Sequence, residues 1–302
     1  MLALTVALAF GGGATAAQPG GAEAGKATRE IFHTAVGDQP MDPLFAERAR
    51  HLNLKSTAAL VVNQDNGHVL YAKNTETVVP IASITKLMTA MVTLDAKLPL
   101  DERIRISETD VDDIKGTRSR LKIGSVLTRG DLLRLALMSS ENRAAAALSR
   151  AYPGGGTAFV AAMNQKAIEI GMWHTRFVDS TGLSSDNVSS ARDLAKMVSA
   201  AYRYALVREY TTDADYKVRL GDGRVLQYRN SNGLVNNPSW HIGLSKTGYI
   251  SEAGRCLVMQ AEIASSAVVI VLLDSWGKMS RIGDANRIKK WIESNRSPQP
   301  AG

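Results

Sequence analysis

Three short constellations carry residue types that could do acyl-transfer chemistry. The first, Ser83-Ile84-Thr85-Lys86, sets a hydroxyl and an amine three residues apart, and on a helix positions i and i+3 share a face. A serine hydroxyl becomes a nucleophile only beside a base, and a lysine amine serves when burial and nearby positive charge lower its pKa. A helix N-terminus also aims backbone N–H groups at a carbonyl under attack. The pattern arises about once by chance in a chain of ordinary composition, and a second copy, Ser119-Arg120-Leu121-Lys122, occurs here. That copy is flanked by charge and followed by Gly124, whereas Ser83 opens the apolar run Leu87 to Leu94. The reading favours Ser83 and predicts a helix over 83–94.

The second constellation, Ser140-Glu141-Asn142, precedes the run Ala144 to Leu148. By itself it is weak, because Ser, Asp and Asn favour caps and turns, and Ser185-Asp186-Asn187 is a rival of the same outline. The third, Lys246-Thr247-Gly248, is the chain's single K-T-G. A cation and a hydroxyl side by side on a sheet edge suit carboxylate anchoring, and a glycine beside them lets a substrate approach the backbone.

The elements that must position these residues follow from periodicity. Ala58 to Asn63 reads as a buried strand, Asn66-Gly67 as a hairpin turn and His68 to Ala72 as the return strand. From Ser83 to about Tyr204 the pattern is mostly helical, most strongly over 132–151, 158–171 and 191–204. Tyr216 to Leu220 alternates, and Gly221-Asp222-Gly223 is a turn. Strands over 242–250, 255–263 and 267–274 then form an antiparallel meander, and a helix over 281–295 closes the fold. Strands at both ends with helices between them imply a mixed α/β (α+β) molecule: one sheet drawn from both ends, an inserted helical lobe and a cleft at their junction.

Composition bounds the function. Of 302 residues 45% are apolar and 22% charged, enough for a sizeable core, with a formal charge of +7. A basic surface suits anionic partners such as wall polymer or lipid head groups. No Lys/Arg run of five or more occurs and no nucleic-acid motif stands out, so nucleic acid is not expected. The five histidines (His33, His51, His68, His174, His241) show no H-E-x-x-H spacing, and no metal or other cofactor is expected. The single cysteine, Cys256, lies in an apolar stretch and reads as a buried thiol. Met1 to Phe10 is apolar and Ala14-Thr15-Ala16 offers a small-x-small cleavage site, so residues 1–17 read as a signal peptide, without a preceding Lys or Arg. Residues 18–41 read as a linker or arm, 42–296 as one catalytic domain and 297–302 as a tail. Within the domain, about 42–85 and 206–296 form the α/β part and about 86–205 the helical subdomain. No segment is expected to span a bilayer.

S-x-x-K, S-x-N and K-T-G in this order, each on the element type its chemistry needs, form the signature set of penicillin-binding proteins and class A β-lactamases. Here the chain resembles the low-molecular-mass penicillin-binding proteins, the serine D-alanyl-D-alanine peptidases, and in particular their endopeptidase type. The resemblance covers roughly Ala58 to Glu293. It includes Phe177-Val-Asp-Ser-Thr-Gly-Leu183, Ser190-Ala-Arg-Asp-Leu-Ala195, His241-Ile-Gly-Leu-Ser-Lys-Thr-Gly-Tyr249 and Glu252-Ala-Gly-Arg-Cys-Leu257. The family spacing from S-x-x-K to S-x-N favours Ser140 over the Ser185 copy.

The resemblance implies a β-lactamase/DD-peptidase-like fold, with a five-stranded antiparallel sheet flanked by helices. It implies that Ser83 is acylated by a D-alanine carbonyl, that Lys86 takes its proton and that Ser140 relays a proton toward the leaving amine. Asn142 would hold the acyl-side amide and the lysine. Lys246 and Thr247, next to Gly248, would grip the carboxylate, and the backbone N–H groups of Ser83 and Tyr249 would form the oxyanion hole. The implied partners are cross-linked peptides of peptidoglycan and β-lactams, covalently on Ser83. The implied compartment is the periplasm, with at most peripheral membrane contact. The same site would serve a D-Ala-D-Ala carboxypeptidase, but the stretch after Gly248 is used by two strands and a helix, without room for the further β-rich domain and anchor that such relatives often carry. A class A β-lactamase would need an E-x-x-L-N segment between Asn142 and Lys246, which is missing. An inert wall-binding protein is the remaining alternative. The loop Gly116 to Arg120 reads equally as cleft lining or as solvated surface, and the four tryptophans read as packing residues.

Overall fold

The computed structural model describes residues 41, 43–49 and 51–295. The expected signal peptide (1–17) and tail (297–302) lie outside the described residues, as does the expected arm (18–41) except for Met41. In chain order the principal elements are α1 (Pro43–Ala49), β1 (Ser56–Asn63), β2 (Val69–Lys73), β3 (Val79–Pro80), a 3-10 turn (Ala82–Thr85), α2 (Lys86–Asp95), β4 (Arg103–Arg105), β5 (Val126–Thr128), α3 (Arg129–Met138), α4 (Asn142–Arg150) and α5 (Gly155–Glu169). They continue with β6 (Val188–Ser189), α6 (Ala191–Ala201), α7 (Ala205–Thr212), β7 (Asp215–Arg219), β8 (Val225–Arg229), β9 (His241–Ile250), β10 (Gly254–Ile263), β11 (Ser266–Ser275) and α8 (Ser280–Asn295).

Both ends of the chain contribute to one five-stranded sheet of order β2-β1-β11-β10-β9, antiparallel at every pairing. Its central strands β1 and β11 read as nearly unbroken apolar runs because both faces are covered. Side chains alternate across a strand, so Ala58, Leu60 and Val62 join the core under the helical lobe, while Ala59 and Val61 join the core under α8. On the lobe side α6 buries Ala191, Leu194, Ala195 and Val198, the i, i+3, i+4, i+7 stripe of an amphipathic helix. Its first turn is fixed by the Ser190 side chain, which accepts from the Asp193 N–H. On the opposite face α8 packs through Ala285, Ile288, Trp291 and Ile292.

Three sequence expectations are corrected. The helix expected from Ser83 begins at Lys86, and Ser83 sits on the 3-10 turn before it. The helix expected over 132–151 is two helices, broken at Ser140, whose φ of 62° leaves the right-handed region. Ala144 onward keeps the helical pattern, so the apolar spacing runs through the break and conceals it. Of the tryptophans, Trp240 and Trp291 are packed, but Trp276 is 80% exposed and Trp173 70%.

One buried carboxylate ties the sheet to its covering helix. Asp284 on α8 has no exposed surface and accepts from the backbone N–H groups of Lys55 and Ser56, at 2.9 and 2.7 Å, and from Ser56 Oγ at 2.6 Å. Burial alone would raise its pKa, but these bonds and the contact from Arg287 outweigh it and hold the carboxyl below its ordinary value. Its contribution to stability is therefore complete above about pH 4 and is lost as the pH falls through the lowered folded pKa. Asp284→Ala takes their acceptor from the backbone N–H groups of Lys55 and Ser56, while Ser56 Oγ keeps Ser275 Oγ at 2.6 Å. It is expected to lower unfolding free energy at pH 7 by about 3 kcal/mol in urea titration, and by less at pH 3.

Candidate active site

The 3-10 turn bearing Ser83 is wedged between the sheet edge and the loop 177–187. β9 is the edge strand, and Gly248 faces the turn so closely that a Cβ there would lie 2.9 Å from Ile81 O and 3.1 Å from Ser83 N. The glycine of the K-T-G sequence thus admits the backbone of the Ser83 turn. On the other side Gly182, at φ 78°, would bring a Cβ within 1.9 Å of Ala82 O, and Ala82 itself is held at φ 48°. The turn is therefore shaped by two backbone contacts, neither with space for a side chain.

The loop carrying Gly182 is organised by Asp179 and Asn187. Asp179 Oδ1 accepts from the backbone N–H groups of Thr181 and Gly182, at 2.5 and 2.7 Å. Asn187, fully buried, accepts from Val178 N–H at 2.6 Å and donates to Asp179 Oδ2 at 2.9 Å. The rival Ser185-Asp186-Asn187 is thus a loop brace. The loop delivers the Thr181 carbonyl to Lys86.

Lys86 has no exposed surface. Its Nζ lies 2.7 Å from Asn142 Oδ1, 2.6 Å from Thr181 O and 3.0 Å from Ser83 Oγ. As an ammonium it donates to all three. As a neutral amine it keeps two N–H donors and one lone pair. Asn142 Oδ1 and Thr181 O can only accept, so the lone pair is left facing the Ser83 hydroxyl. Burial pushes the amine down to about 7, against the carboxylates of Asp179, Glu141 and Asp112, which pull it up. The arrangement can therefore hold an unprotonated base near neutral pH, aimed at one hydroxyl.

Asn142 is oriented from behind. Its Nδ2 donates to Thr117 Oγ1 at 3.0 Å, and Thr117 Oγ1 in turn donates to Asp112 Oδ2 at 2.5 Å. Lys115, on the same loop, pairs with Glu252 in the turn between β9 and β10. The segment 112–117 thus reaches from Asn142 across to the β9 side; of the Gly116 to Arg120 loop, Thr117 touches Asn142, and Arg118 and Arg120 are exposed. Glu141 caps α4, accepting from Arg143 N–H at 3.4 Å.

The third motif meets the second. Lys246 Nζ, buried, donates to Ser140 Oγ at 2.9 Å, which the left-handed backbone at Ser140 turns toward it. Burial, then the positive charges of Lys86 and Arg281, hold the Lys246 amine well below its ordinary pKa. Thr247 Oγ1 donates to Ser231 Oγ at 2.7 Å. Arg281 on α8 donates to the Gly248 carbonyl at 3.1 Å. Tyr249 follows on the edge strand, its ring under the Arg255 guanidinium at 4.5 Å.

The structure gathers Ser83, Lys86, Ser140, Asn142, Lys246, Thr247 and Gly248 around one cleft. It leaves the Ser119 copy apart: Ser119 Oγ bonds locally with Leu121, and Lys122 is exposed. Sequence reasoning missed Asp112, Ser231 and Arg281. Asp179 lies in the quoted segment 177–183, and Thr117 in the loop 116–120 that read as a possible cleft lining. Cys256 is buried as expected, its thiol pushed up to about 11 by that burial. Among the described residues no three His, Cys, Asp or Glu side chains group as a metal site.

The D-alanyl-D-alanine carboxypeptidase family model matches residues 45–277. A D-alanyl-D-alanine endopeptidase of Pseudomonas aeruginosa is 48% identical over 264 residues, 87% of this chain and 84% of that protein. One of Escherichia coli is 45% identical over 258 residues, 85% and 83% of the two chains. Among solved structures, the Streptomyces K15 DD-transpeptidase superposes with a TM-score of 0.74 at 28% identity, covering 79% of this chain and 97% of that one. Penicillin-binding protein D2 of Listeria monocytogenes, in its ampicillin-bound form, gives 0.70 at 29%, covering 80% and 98%. The expected DD-peptidase-like fold is borne out.

The Gly182 contact makes a direct prediction. Gly182→Ala forces the loop off the Ser83 turn and strains a left-handed backbone, so it is expected to cost about 3 kcal/mol or more in urea titration. Gly223→Ala, where nothing lies within 4 Å of the added Cβ, carries the backbone strain alone and is expected to cost about 1 kcal/mol.

Proposed function

This chain belongs to the D-alanyl-D-alanine carboxypeptidase family of serine peptidases, and we propose that it hydrolyses the D-alanyl peptide cross-links of bacterial peptidoglycan as a DD-endopeptidase, through an acyl-enzyme on Ser83. The observation that carries this reading is the buried Lys86 amine 3.0 Å from Ser83 Oγ, its other two neighbours able only to accept. The endopeptidase assignment follows the two relatives at 48% and 45% identity that bear that name. The carboxypeptidase reading uses the same site and is favoured by the family model's own description. The proposed setting is the periplasm, after export, in remodelling of the wall.

In the proposed reaction Ser83 Oγ attacks the carbonyl carbon of the D-alanine at the cross-link while its proton passes to the Lys86 lone pair. The carbonyl oxygen becomes an oxyanion, received by the backbone N–H groups of Ser83 and Tyr249; each such donor is worth about 2.7–4 kcal/mol in other enzymes. The C–N bond then breaks as Ser140 relays the proton held by Lys86, giving its own hydroxyl proton to the leaving amine and taking that one in its place. Water attacks the ester while Lys86 takes its proton, that proton returns to Ser83 Oγ as the C–O bond breaks, and the donor stem leaves with a free carboxylate. Asn142 engages the acyl-side amide, and Lys246 with Thr247 engages the carboxylate next to the scissile bond. Burial and the neighbouring cations hold Lys246 below its usual pKa, and an arriving carboxylate favours its charged form. This couples carboxylate binding to protonation of the second lysine. A β-lactam carries the same acyl and carboxylate groups, and a structural relative is recorded with ampicillin bound. We extend that susceptibility to Ser83 here.

Purified protein incubated with cross-linked muropeptide dimers is expected to yield monomers by mass spectrometry; release of a terminal alanine alone would overturn the endopeptidase reading in favour of the carboxypeptidase. Fluorescent penicillin is expected to label the wild type and not Ser83→Ala, and persistent labelling of that variant would remove Ser83 from its role. The labelling rate is expected to rise with pH through about 7, where Lys86 loses its proton. Lys86→Arg, always protonated, is expected to label about 100- to 10,000-fold more slowly with no rise across that range.

A further inference from the structure

Away from the cleft, the small strand β4 carries two arginines on one face. Ile104 between them is buried while Arg103 and Arg105 are exposed, which sets the two guanidinium stems about 7 Å apart along the strand. They line a pocket of about 550 Å³ with Ser125, Gly221 and Arg224. Arg103 extends over the β7–β8 turn, where a Cβ on Gly221 would lie 3.6 Å from its Nη2. Arg105 Nη1 donates to the Gly124 carbonyl at 3.2 Å. Neither arginine has a carboxylate partner among the described residues; in this corner only Arg224 has one, Asp222 at 2.6 Å. Ser125 is 7% exposed, and its hydroxyl makes no hydrogen bond.

Three guanidinium groups around a concavity with a single carboxylate repel one another. An oxyanion relieves that repulsion, since arginine binds carboxylates and phosphates through paired N–H donors. We propose that this pocket is a second, non-catalytic binding site that takes the free carboxylates of wall stem peptides. The stem peptide is favoured by charge complementarity: the proposed substrate polymer carries free carboxylates, and this pocket offers Arg103 and Arg105 without carboxylate partners among the described residues. The choice of wall peptide rests on the proposed function; the anion pocket does not. Such a site raises the effective concentration of the enzyme on the polymer it cuts without touching the chemistry.

The test uses the whole protein and purified, insoluble peptidoglycan in a sedimentation assay. Arg103→Gln/Arg105→Gln is expected to bind about tenfold more weakly at low salt, while its rate of labelling by fluorescent penicillin is unchanged, which also reports an intact fold. Lys97→Gln/Lys290→Gln, which removes two exposed cations elsewhere, is expected to bind as the wild type does. Equal binding by the arginine variant, or equal loss in the lysine control, overturns the site. Anionic phospholipid vesicles form a separate arm: if the arginine variant loses vesicle binding but keeps wall binding, the pocket serves lipid phosphates and the proposal fails. Cleavage of muropeptide dimers by the wild type is read independently, so failure of the functional reading and failure of this site are distinguishable.

Discussion

A lysine with no exposed surface must either give up its proton or find acceptors for it, and the candidate site is organised around Lys86, whose contacts provide for both. The three atoms it touches come from three separated segments: the turn at Ser83, the start of α4 at Asn142 and the carbonyl of Thr181. Each is itself secured. Asn142 is secured by Thr117 and Asp112, and the Thr181 carbonyl by a loop wound around Asp179 and Asn187. The surrounding carboxylates restrain what desolvation alone would do to the amine, so it sits near neutrality rather than far below it. Basicity and aim are thus set by the same contacts.

The sheet supplies rigidity to this arrangement. Its edge strand β9 brings Lys246 to Ser140 and Gly248 to the Ser83 turn, joining all three motifs through one element. Both faces of the sheet are buried, so a one-residue slip would exchange the two cores, and register is strongly specified. The covering helix α8 takes part as well: Asp284 fixes it to β1, and Arg281 contacts the carbonyl of Gly248. Stability and site geometry therefore share the same helix.

Much of this was legible in the residues. The continuous apolar runs gave away the central strands, and strands at both ends of the chain foretold a shared sheet. The three motifs named the side chains that meet in the cleft. What escaped was carried by the backbone. The start of α2 three residues late, the helix break at Ser140 and the squeeze around Ala82 and Gly182 depend on φ values that apolar spacing does not encode. The specific roles of Thr117, Asp179 and Ser231 escaped for a related reason. They act through turn-like and cross-loop hydrogen bonds, and nothing in their local pattern distinguishes them from ordinary turn residues.

The drawing of one sheet from both chain ends has a consequence for how activity arises during folding. Asp284 and Ser56 are 228 positions apart, and Lys246 meets Ser140 across 106. Such high contact order makes formation of the site a late and comparatively slow event, because long loops must close before any of these contacts stabilises the chain. The β9 wall that completes the site is among the elements that need such long-range closure. Hydrolytic capacity and completion of the tertiary fold thus arrive together.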